Sequence, residues 1–161
     1  MSLRDAEAVQ PQLNLVTLKG IKYFRGSEGY GYNATIYIDG KRAALAINHG
    51  DGGATFLEFV STEAKEKFEA AAKRWAVGKG KEYAEYADLA SLFIEALLQG
   101  VEEQQRKEVN AKRGMPITVL CFAGEKYGPD QWEKEFYLGA TDETALKEAL
   151  AKYKVVEWRR L

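Results

Sequence analysis

One stretch, residues 32–48, determines the first half of the fold; it reads YNATIYIDGKRAALAIN. Its first strand alternates, with Ala34, Ile36 and Ile38 on one face and polar or aromatic residues on the other. Asp39-Gly40 follows, and this pair tolerates the two positive φ angles of a type I′ turn. The stretch therefore predicts a β-hairpin. On the return strand the pattern favours the inner face for Ala43, Leu45 and Ile47.

Two further strands flank this hairpin. Residues 13–24 are rich in Leu, Val, Ile and aromatics, and Gly20 within them is typical of a bulge or bend. Residues 54–60 form the other strand. The connections are glycine-rich loops, residues 26–31 and 48–53. Residues 13–60 therefore predict a four-stranded antiparallel meander, preceded by a polar lead-in over residues 1–12.

The pattern then changes to a helical period over residues 61–113. Ser61 or Thr62 suits an N-cap, and an apolar stripe follows at helical spacing, formed by Ala64, Phe68, Ala71 and Trp75. A second helix is predicted from about residues 83–87 to Arg113, where Gly114 and Pro116 end it. Its buried part is marked by Leu89, Leu92, Phe93, Leu97 and Val101. Beyond Val101 the helix is polar, so it either projects into solvent or covers the edge of the domain.

The last segment, residues 115–161, predicts a β-β-α-β unit. Its strands are residues 117–122 and 132–138, joined by a long turn over residues 124–131. Thr141 suits the N-cap of the helix, and Val155, Val156 and Trp158 indicate a closing strand. Together these segments predict a single α+β domain over residues 13–161.

Composition excludes several classes of protein. The 161 residues include 23 Lys and Arg against 24 Asp and Glu, a net charge of −1. The balance is local as well: 6 basic and 6 acidic residues in 1–60, 10 and 10 in 61–114, and 7 and 8 in 115–161. We therefore expect no nucleic-acid partner and no acidic mimicry of DNA. With no long apolar run and no apolar N-terminal segment, we expect a cytoplasmic protein without a membrane span or secretory signal.

The meander places its first and third connections at the same end of the sheet. That end gathers a set of polar and aromatic loop residues, which we predict to form a binding site: Ser27, Glu28, Tyr30, Asn48, His49 and Asp51. The competing interpretation is that the glycines only permit tight turns. The tyrosines at positions 23, 30, 32 and 37 favour cross-strand packing over base stacking.

Catalytic and cofactor chemistry finds little support in the sequence. His49 with Asp51 or Glu28 would make an acid–base pair, but a lone loop histidine is more often a turn or contact residue. The loop at 26–31 lacks the spacing of nucleotide-binding motifs and precedes a strand. Cys121 alternates with Val119, which favours a buried, inert thiol. We therefore predict no cofactor, no metal and no catalytic residue.

Most of the chain resembles a family of small proteins from bacteriophages and other mobile elements, with the specific motifs in the first 55 residues. The resemblance rests on residues 18–22, LKGIK, on Glu28-Gly29, on residues 32–41, YNATIYIDGK, and on the glycine-rich loop at 48–53. The order of His49 and Asp51 departs from the loop of that family. The resemblance implies a phage-type accessory role and supplies no catalytic residues.

Two functions follow as hypotheses. The first is a non-enzymatic interaction protein that inhibits a host defence protein. The second is a protein that binds or sequesters a small, nucleotide-like signal with the two glycine-rich loops. A homo-oligomer is compatible with either.

Overall fold

The computed structural model describes residues 15–128 and 131–161. Strands and helices among these residues follow the predicted order, a meander, a helical segment and a β-β-α-β unit, which confirms the α+β class. Backbone contacts group the chain into two compact units, one ending at Gln99 and the other running from Gly100 to Leu161. The predicted lead-in, residues 1–12, lies outside the described residues. A single domain over residues 13–161 stays a prediction.

Four antiparallel strands form the sheet of the first unit. They are β1 (Val16–Arg25), β2 (Tyr30–Ile38), β3 (Lys41–Asn48) and β4 (Phe56–Phe59), in that spatial order. Each strand pairs with its neighbour in sequence, which confirms the up-and-down meander. β1 and β4 are therefore the edge strands.

The β2–β3 connection is the predicted two-residue turn. Asp39 has φ 51° and Gly40 has φ 75°, the two positive values that a type I′ turn requires. Ile38 pairs with Lys41 directly across it. This turn lies at the end of the sheet opposite the two glycine-rich loops.

A β-bulge interrupts β1 at Gly20, as its sequence predicted. Lys19 pairs with Thr35 and Lys22 pairs with Asn33, so three steps along β1 match two along β2. Gly20 has φ 63°, a conformation that costs a residue with a side chain about 1–2 kcal/mol. The extra residue places the side chains of Lys19 and Lys22 on the same face of the sheet.

The predicted inner face of β3 was wrong in part. Ala44 and Ala46 are fully buried, whereas two of the three predicted residues, Leu45 and Ile47, are only half-buried on the other face. The cause is a register shift after Ile36, which leaves Ala43 without a directly paired residue. Because side chains alternate with period 2, one extra residue inverts the faces along the rest of a strand. Ala43 itself is buried, as predicted.

Helices cover the inner face of this sheet. Helix α1 (Thr62–Lys79) begins at Ser61, whose Oγ accepts the N–H of Ala64 at 3.1 Å. Its buried residues include the predicted Phe68 and Trp75. These rings pack with Phe93, at centroid distances of 5.4 and 5.5 Å, in the core of the unit.

The predicted second helix is two helices in the structure. A single turn, α2 (Lys81–Ala84), precedes the long α3 (Leu89–Lys112). Gly80 separates α1 from α2 with φ 118°, which ends the helical path. The buried part of α3 in the first unit is Phe93, Ile94, Leu97 and Leu98.

The second unit contains a three-stranded sheet in the order β6-β5-β7. Its elements are β5 (Ile117–Gly128), β6 (Gln131–Ala140), helix α4 (Glu143–Lys152) and β7 (Val155–Arg160). The expected long turn over residues 124–131 was wrong, because both strands continue through most of it. Gly124, at φ 78°, lies at a bulge within β5 instead.

Asp142 rather than Thr141 caps helix α4. The Asp142 carboxylate accepts the N–H of Ala145 at 2.8 Å, and Leu146 in the next turn is buried against Val119 and Cys121. A carboxylate also interacts favourably with the helix dipole at this end. Sequence alone placed the cap one residue too early because both residue types are good N-caps.

The polar end of α3 packs on the sheet of the second unit. Of the two predicted alternatives, it therefore covers a sheet and does not project into solvent. Asn110 Nδ2 donates to Thr118 Oγ1 at 3.0 Å, and Arg159 pairs with Glu103. The Arg106 guanidinium lies 5.7 Å from the ring centroid of Tyr137. None of the described helices combines the length and apolar character that crossing a membrane requires.

Comparing Gly20 with Gly100 distinguishes the effect of backbone strain from that of side-chain crowding. An added Cβ meets nothing within 4 Å at Gly20 or at Gly100, but only Gly20 has a positive φ. We expect Gly20→Ala to lower the free energy of unfolding by about 1–2 kcal/mol. Gly100→Ala, in helix α3, should raise it by about 0.5–1 kcal/mol. Urea unfolding of both variants measures these free energies. An equal change in the free energy of unfolding for the two variants would contradict the strained bulge.

Candidate functional site

The two glycine-rich loops lie against each other at one end of the first sheet. The N–H of Glu28 donates to the carbonyl of Gly50 at 2.9 Å, which confirms their predicted adjacency. A Cβ added at Gly26 would lie 2.5 Å from the carbonyl oxygen of His49, and one at Gly50 would lie 2.6 Å from the nitrogen of Gly31. The loops therefore meet through bare backbone, and glycine is required at the contact. We call these two loops together the loop end.

Polar side chains brace the second loop from within. Asn48 Oδ1 accepts the N–H of Gly50 at 2.9 Å, and its Nδ2 donates to Thr55 Oγ1 at 3.1 Å. Asp51 Oδ1 accepts the N–H of Gly53 at 3.0 Å. Local hydrogen bonds of this kind fix a turn. The side chains of Asn48 and Asp51 are thus used to shape the loop.

A polar network ties the base of the loop end to helix α3. The hydroxyls of Tyr32 and Thr55 are 2.7 Å apart and buried. The N–H of Thr55 donates to Ser91 Oγ at 2.9 Å, and the N–H of Ser91 donates to Asp88 Oδ1 at 3.2 Å. Burial raises the pKa of the Tyr32 hydroxyl above its usual 10.0, and its hydrogen bond with Thr55 opposes this shift. The network holds one loop fixed relative to the core.

Exposed rings surround the braced loops. Tyr30 is 76% exposed, Phe56 65% and Tyr23 60%, and Phe24 is also exposed. The ring of His49 packs edge-on against Phe56 with centroids 5.7 Å apart. We call these five residues, Tyr23, Phe24, Tyr30, His49 and Phe56, the aromatic rim.

Strand register places the rim on both faces of the sheet. Tyr23 lies opposite Tyr32, and their rings contact at 6.5 Å, so Tyr23 is on the inner side. Phe24 lies opposite Gly31, and its ring would collide with any Cβ there. Phe56 lies opposite Ile47 on the outer side. The rim therefore wraps around the end of the sheet.

The six predicted site residues all belong to this end, with different surroundings. Ser27, Glu28, Tyr30, His49 and Asp51 are exposed, and Asn48 is half-buried. Glu28 reaches the backbone of Gly52, where its carboxylate fills the space beside the α-carbon. Tyr30 and His49 belong to the aromatic rim. That these six residues form a binding site stays a prediction.

Three residues of the rim were missed from sequence: Tyr23, Phe24 and Phe56. The predicted cross-strand packing of Tyr23 holds for its contact with Tyr32, but 60% of Tyr23 remains exposed. Their position in the sequence could have identified them, because all three lie within three residues of a predicted loop. An aromatic residue at a strand end has fewer neighbours than one in the middle.

The acid–base alternative lacks its geometry among the described residues. His49 forms no ion pair there with Asp51 or Glu28 within 4.0 Å, and its ring contacts Phe56 instead. No group of three His, Cys, Asp or Glu side chains in the described part of the chain could hold a metal ion.

Cys121 is fully buried in the second unit beside Val119 and Leu146. Burial raises the pKa of its thiol to about 11, so the reactive thiolate is scarce at neutral pH. The predicted burial of this thiol is confirmed.

Comparison with protein families, characterised proteins and solved structures finds no match to the chain.

Crowding at the loop contact can be tested without a positive φ. Gly26 has an ordinary φ, yet an added Cβ would strike the backbone of His49 and Gly50. We expect Gly26→Ala to lower the free energy of unfolding by about 1–3 kcal/mol, the usual cost of overpacking. Gly100→Ala, which meets open space, is the control. Thermal unfolding of Gly26→Ala within 1 °C of the unaltered protein would contradict the close contact.

The Cys121 thiol predicts a pH dependence of stability. Its pKa is about 11 in the folded protein against 9.0 as the ordinary value, so the folded state holds the proton more tightly. This contribution is complete below pH 9 and is lost as the pH rises through 11. Stability should therefore fall over pH 9–11 more steeply for the unaltered protein than for Cys121→Ala. Parallel pH dependences of the two midpoints would contradict the buried, protonated thiol.

Proposed function

We propose that the chain is a non-enzymatic interaction protein that binds a partner protein through the loop end. The observation that carries this proposal is the exposure of Tyr30, Phe56 and Tyr23 on a backbone that hydrogen bonds hold in place. Aromatic residues supply much of the energy of protein interfaces. A folded domain gains nothing in stability by leaving such rings in water, so their presence around one end of the sheet favours a recognition surface there.

Pre-organisation strengthens the proposal. The contact between the loops, the braces of Asn48 and Asp51 and the link from Thr55 to helix α3 restrict the loop end before any partner arrives. Binding then costs less conformational entropy than it would with mobile loops. The exposed Ser27, Glu28 and His49 provide polar groups around the rings, which is the usual composition of an interface margin.

The class of partner follows from the resemblance to phage and mobile-element proteins. An accessory role of the kind that this resemblance implies would require the chain to occupy a surface of a host protein. We accordingly assign the partner to the host, with a component of a bacterial defence system as the leading candidate. This assignment rests on residues 18–53, where the resemblance is strongest.

The small-ligand alternative has less support. The two loops meet backbone to backbone at Gly26 and Gly50, which fills the space where a ligand between them would lie. The amide of Asn48 and the carboxylate of Asp51 are already engaged within the loop. A ligand would have to use the outer surface of the loops instead.

Removing two rim rings tests the proposal. We expect Tyr30→Ala and Phe56→Ala each to weaken retention of a host protein on the immobilised chain by about tenfold or more, since truncating a hot-spot residue costs at least about 1.4–2 kcal/mol. The measurement is quantitative affinity capture from host lysate followed by titration of the captured protein. Thermal unfolding should change little, because both rings are mostly exposed.

Tyr127→Ala is the matched control, because Tyr127 is 67% exposed and belongs to the other compact unit. Equal loss of retention with this variant would indicate unspecific adhesion of exposed rings. Full retention by both rim variants would contradict binding through the loop end.

A further inference from the structure

Strand β1 is an edge strand of ten residues. Among residues 15–128 and 131–161, β2 is the strand that pairs with β1, and no strand pairs with the opposite edge of β1. A free edge offers a row of backbone N–H and C=O groups that a further strand can use. The partner of such an edge can be identified by the charges that line it.

The charges along β1 are all positive. Lys19, Lys22 and Arg25 lie on the strand, with no carboxylate among its ten residues. Lys22 and Arg25 form no ion pair within the described part of the chain, and Lys19 lies over the ring of Tyr37 at 4.8 Å. The edge therefore carries positive charge that no described side chain neutralises.

The other three edge strands differ in this respect. β4 carries Glu58 alone, and β6 carries two glutamates and one lysine. β7 carries Arg159 and Arg160, but these pair with Glu103 and Glu143. Uncompensated positive charge on an edge is thus specific to β1 among the described strands.

The bulge at Gly20 gives this charge a defined spacing. Lys19 and Lys22 stand opposite Thr35 and Asn33, which are two residues apart on β2. Both lysines therefore point to the outer face of the sheet at the spacing of alternate residues in a regular strand. A strand added at the edge would meet them with residues i and i+2.

A second copy of the chain does not suit this edge. Antiparallel pairing of two β1 strands along their full length would place Lys19 opposite Lys22, which is unfavourable. Lysine on an edge is a common defence against such self-association. The same lysines would attract a strand of opposite charge.

We propose that the free edge of β1 binds an extended acidic segment of a partner protein by β-strand addition. Backbone hydrogen bonds form along the edge, and carboxylates at positions i and i+2 of the segment lie beside Lys19 and Lys22. This edge shares Tyr23 and Phe24 with the aromatic rim, whereas Tyr30, His49 and Phe56 lie outside β1. The inference goes beyond the proposed function and stands even if the rim binds nothing.

A peptide suits this edge better than single-stranded nucleic acid. Nucleic-acid strands follow a positive groove and stack their bases on aromatic rings. Here the ring of Tyr37 is covered by Lys19, and the loop-proximal Phe24 packs against Gly31. A phosphate backbone also cannot form the ladder of hydrogen bonds that the edge offers.

The test uses a synthetic peptide of about ten residues, the length of β1, in which glutamate alternates with valine. We expect it to bind the full chain saturably, with amide shifts in NMR spectra centred on β1. A peptide with lysine in place of glutamate should bind at least tenfold more weakly. Raising the salt concentration from about 50 to 500 mM should weaken binding of the acidic peptide, since salt screens exposed charges.

Two further probes separate strand addition from unspecific charge. The acidic peptide with N-methylated alternate amides keeps its charges but loses half of its donors, and we expect at least tenfold weaker binding. The double variant Lys19→Glu/Lys22→Glu should likewise bind the acidic peptide at least tenfold more weakly. Lys65→Glu/Lys73→Glu, which changes the charge equally on exposed positions of α1, is the matched control and should bind normally.

Several results would overturn the proposal. These are no saturable binding of the acidic peptide, equal binding of the N-methylated peptide, equal loss in the α1 variant, or tighter binding of a ten-nucleotide oligothymidylate. Phe56→Ala should leave peptide binding unchanged. In that variant, retention of the host protein reports on the rim and binding of the acidic peptide reports on the edge. The two proposals can therefore fail independently.

Discussion

Backbone contact between the two glycine-rich loops shapes the loop end of this protein. The hydrogen bond from Glu28 to Gly50 joins the connections that precede β2 and β4. Because Gly26, Gly31 and Gly50 leave no room for a Cβ, the two connections act as one surface. Without that contact the exposed rings would sit on separate, independently moving loops, and a partner would have to order both of them.

The polar residues of this end serve two different purposes. Asn48, Asp51 and Thr55 make the hydrogen bonds that hold the loops and connect them to helix α3. The aromatic residues are held at the surface and contribute little to the core. Such a division, with polar groups fixing the backbone and rings facing outward, is what a binding surface needs and an acid–base site does not. It explains why the charge balance of the whole chain reveals so little about function.

Local patterns in the sequence identified much of the fold. The alternation of residues 32–38, the Asp39-Gly40 turn and the cap at Ser61 or Thr62 depend on neighbouring residues only. The first two occur as predicted, and Ser61 is the cap of the two. The inner face of β3 was mispredicted because one unpaired residue, Ala43, inverts the alternation, and nothing nearby in sequence signals it. The loop end was located from topology alone. Its outward rings were not, because exposure depends on which strands and helices pack nearby.

Rigidity of the loop end is the property on which this view of the protein rests, and backbone ¹⁵N relaxation measures it. We predict order parameters of about 0.85 for the amides of residues 26–31 and 48–53, the value of a rigid backbone. The amides of Glu28 and Gly50, which donate to Gly50 and Asn48, should match those of the adjoining strands. Order parameters below about 0.6 in either loop would show flexible connections and contradict a pre-organised binding surface.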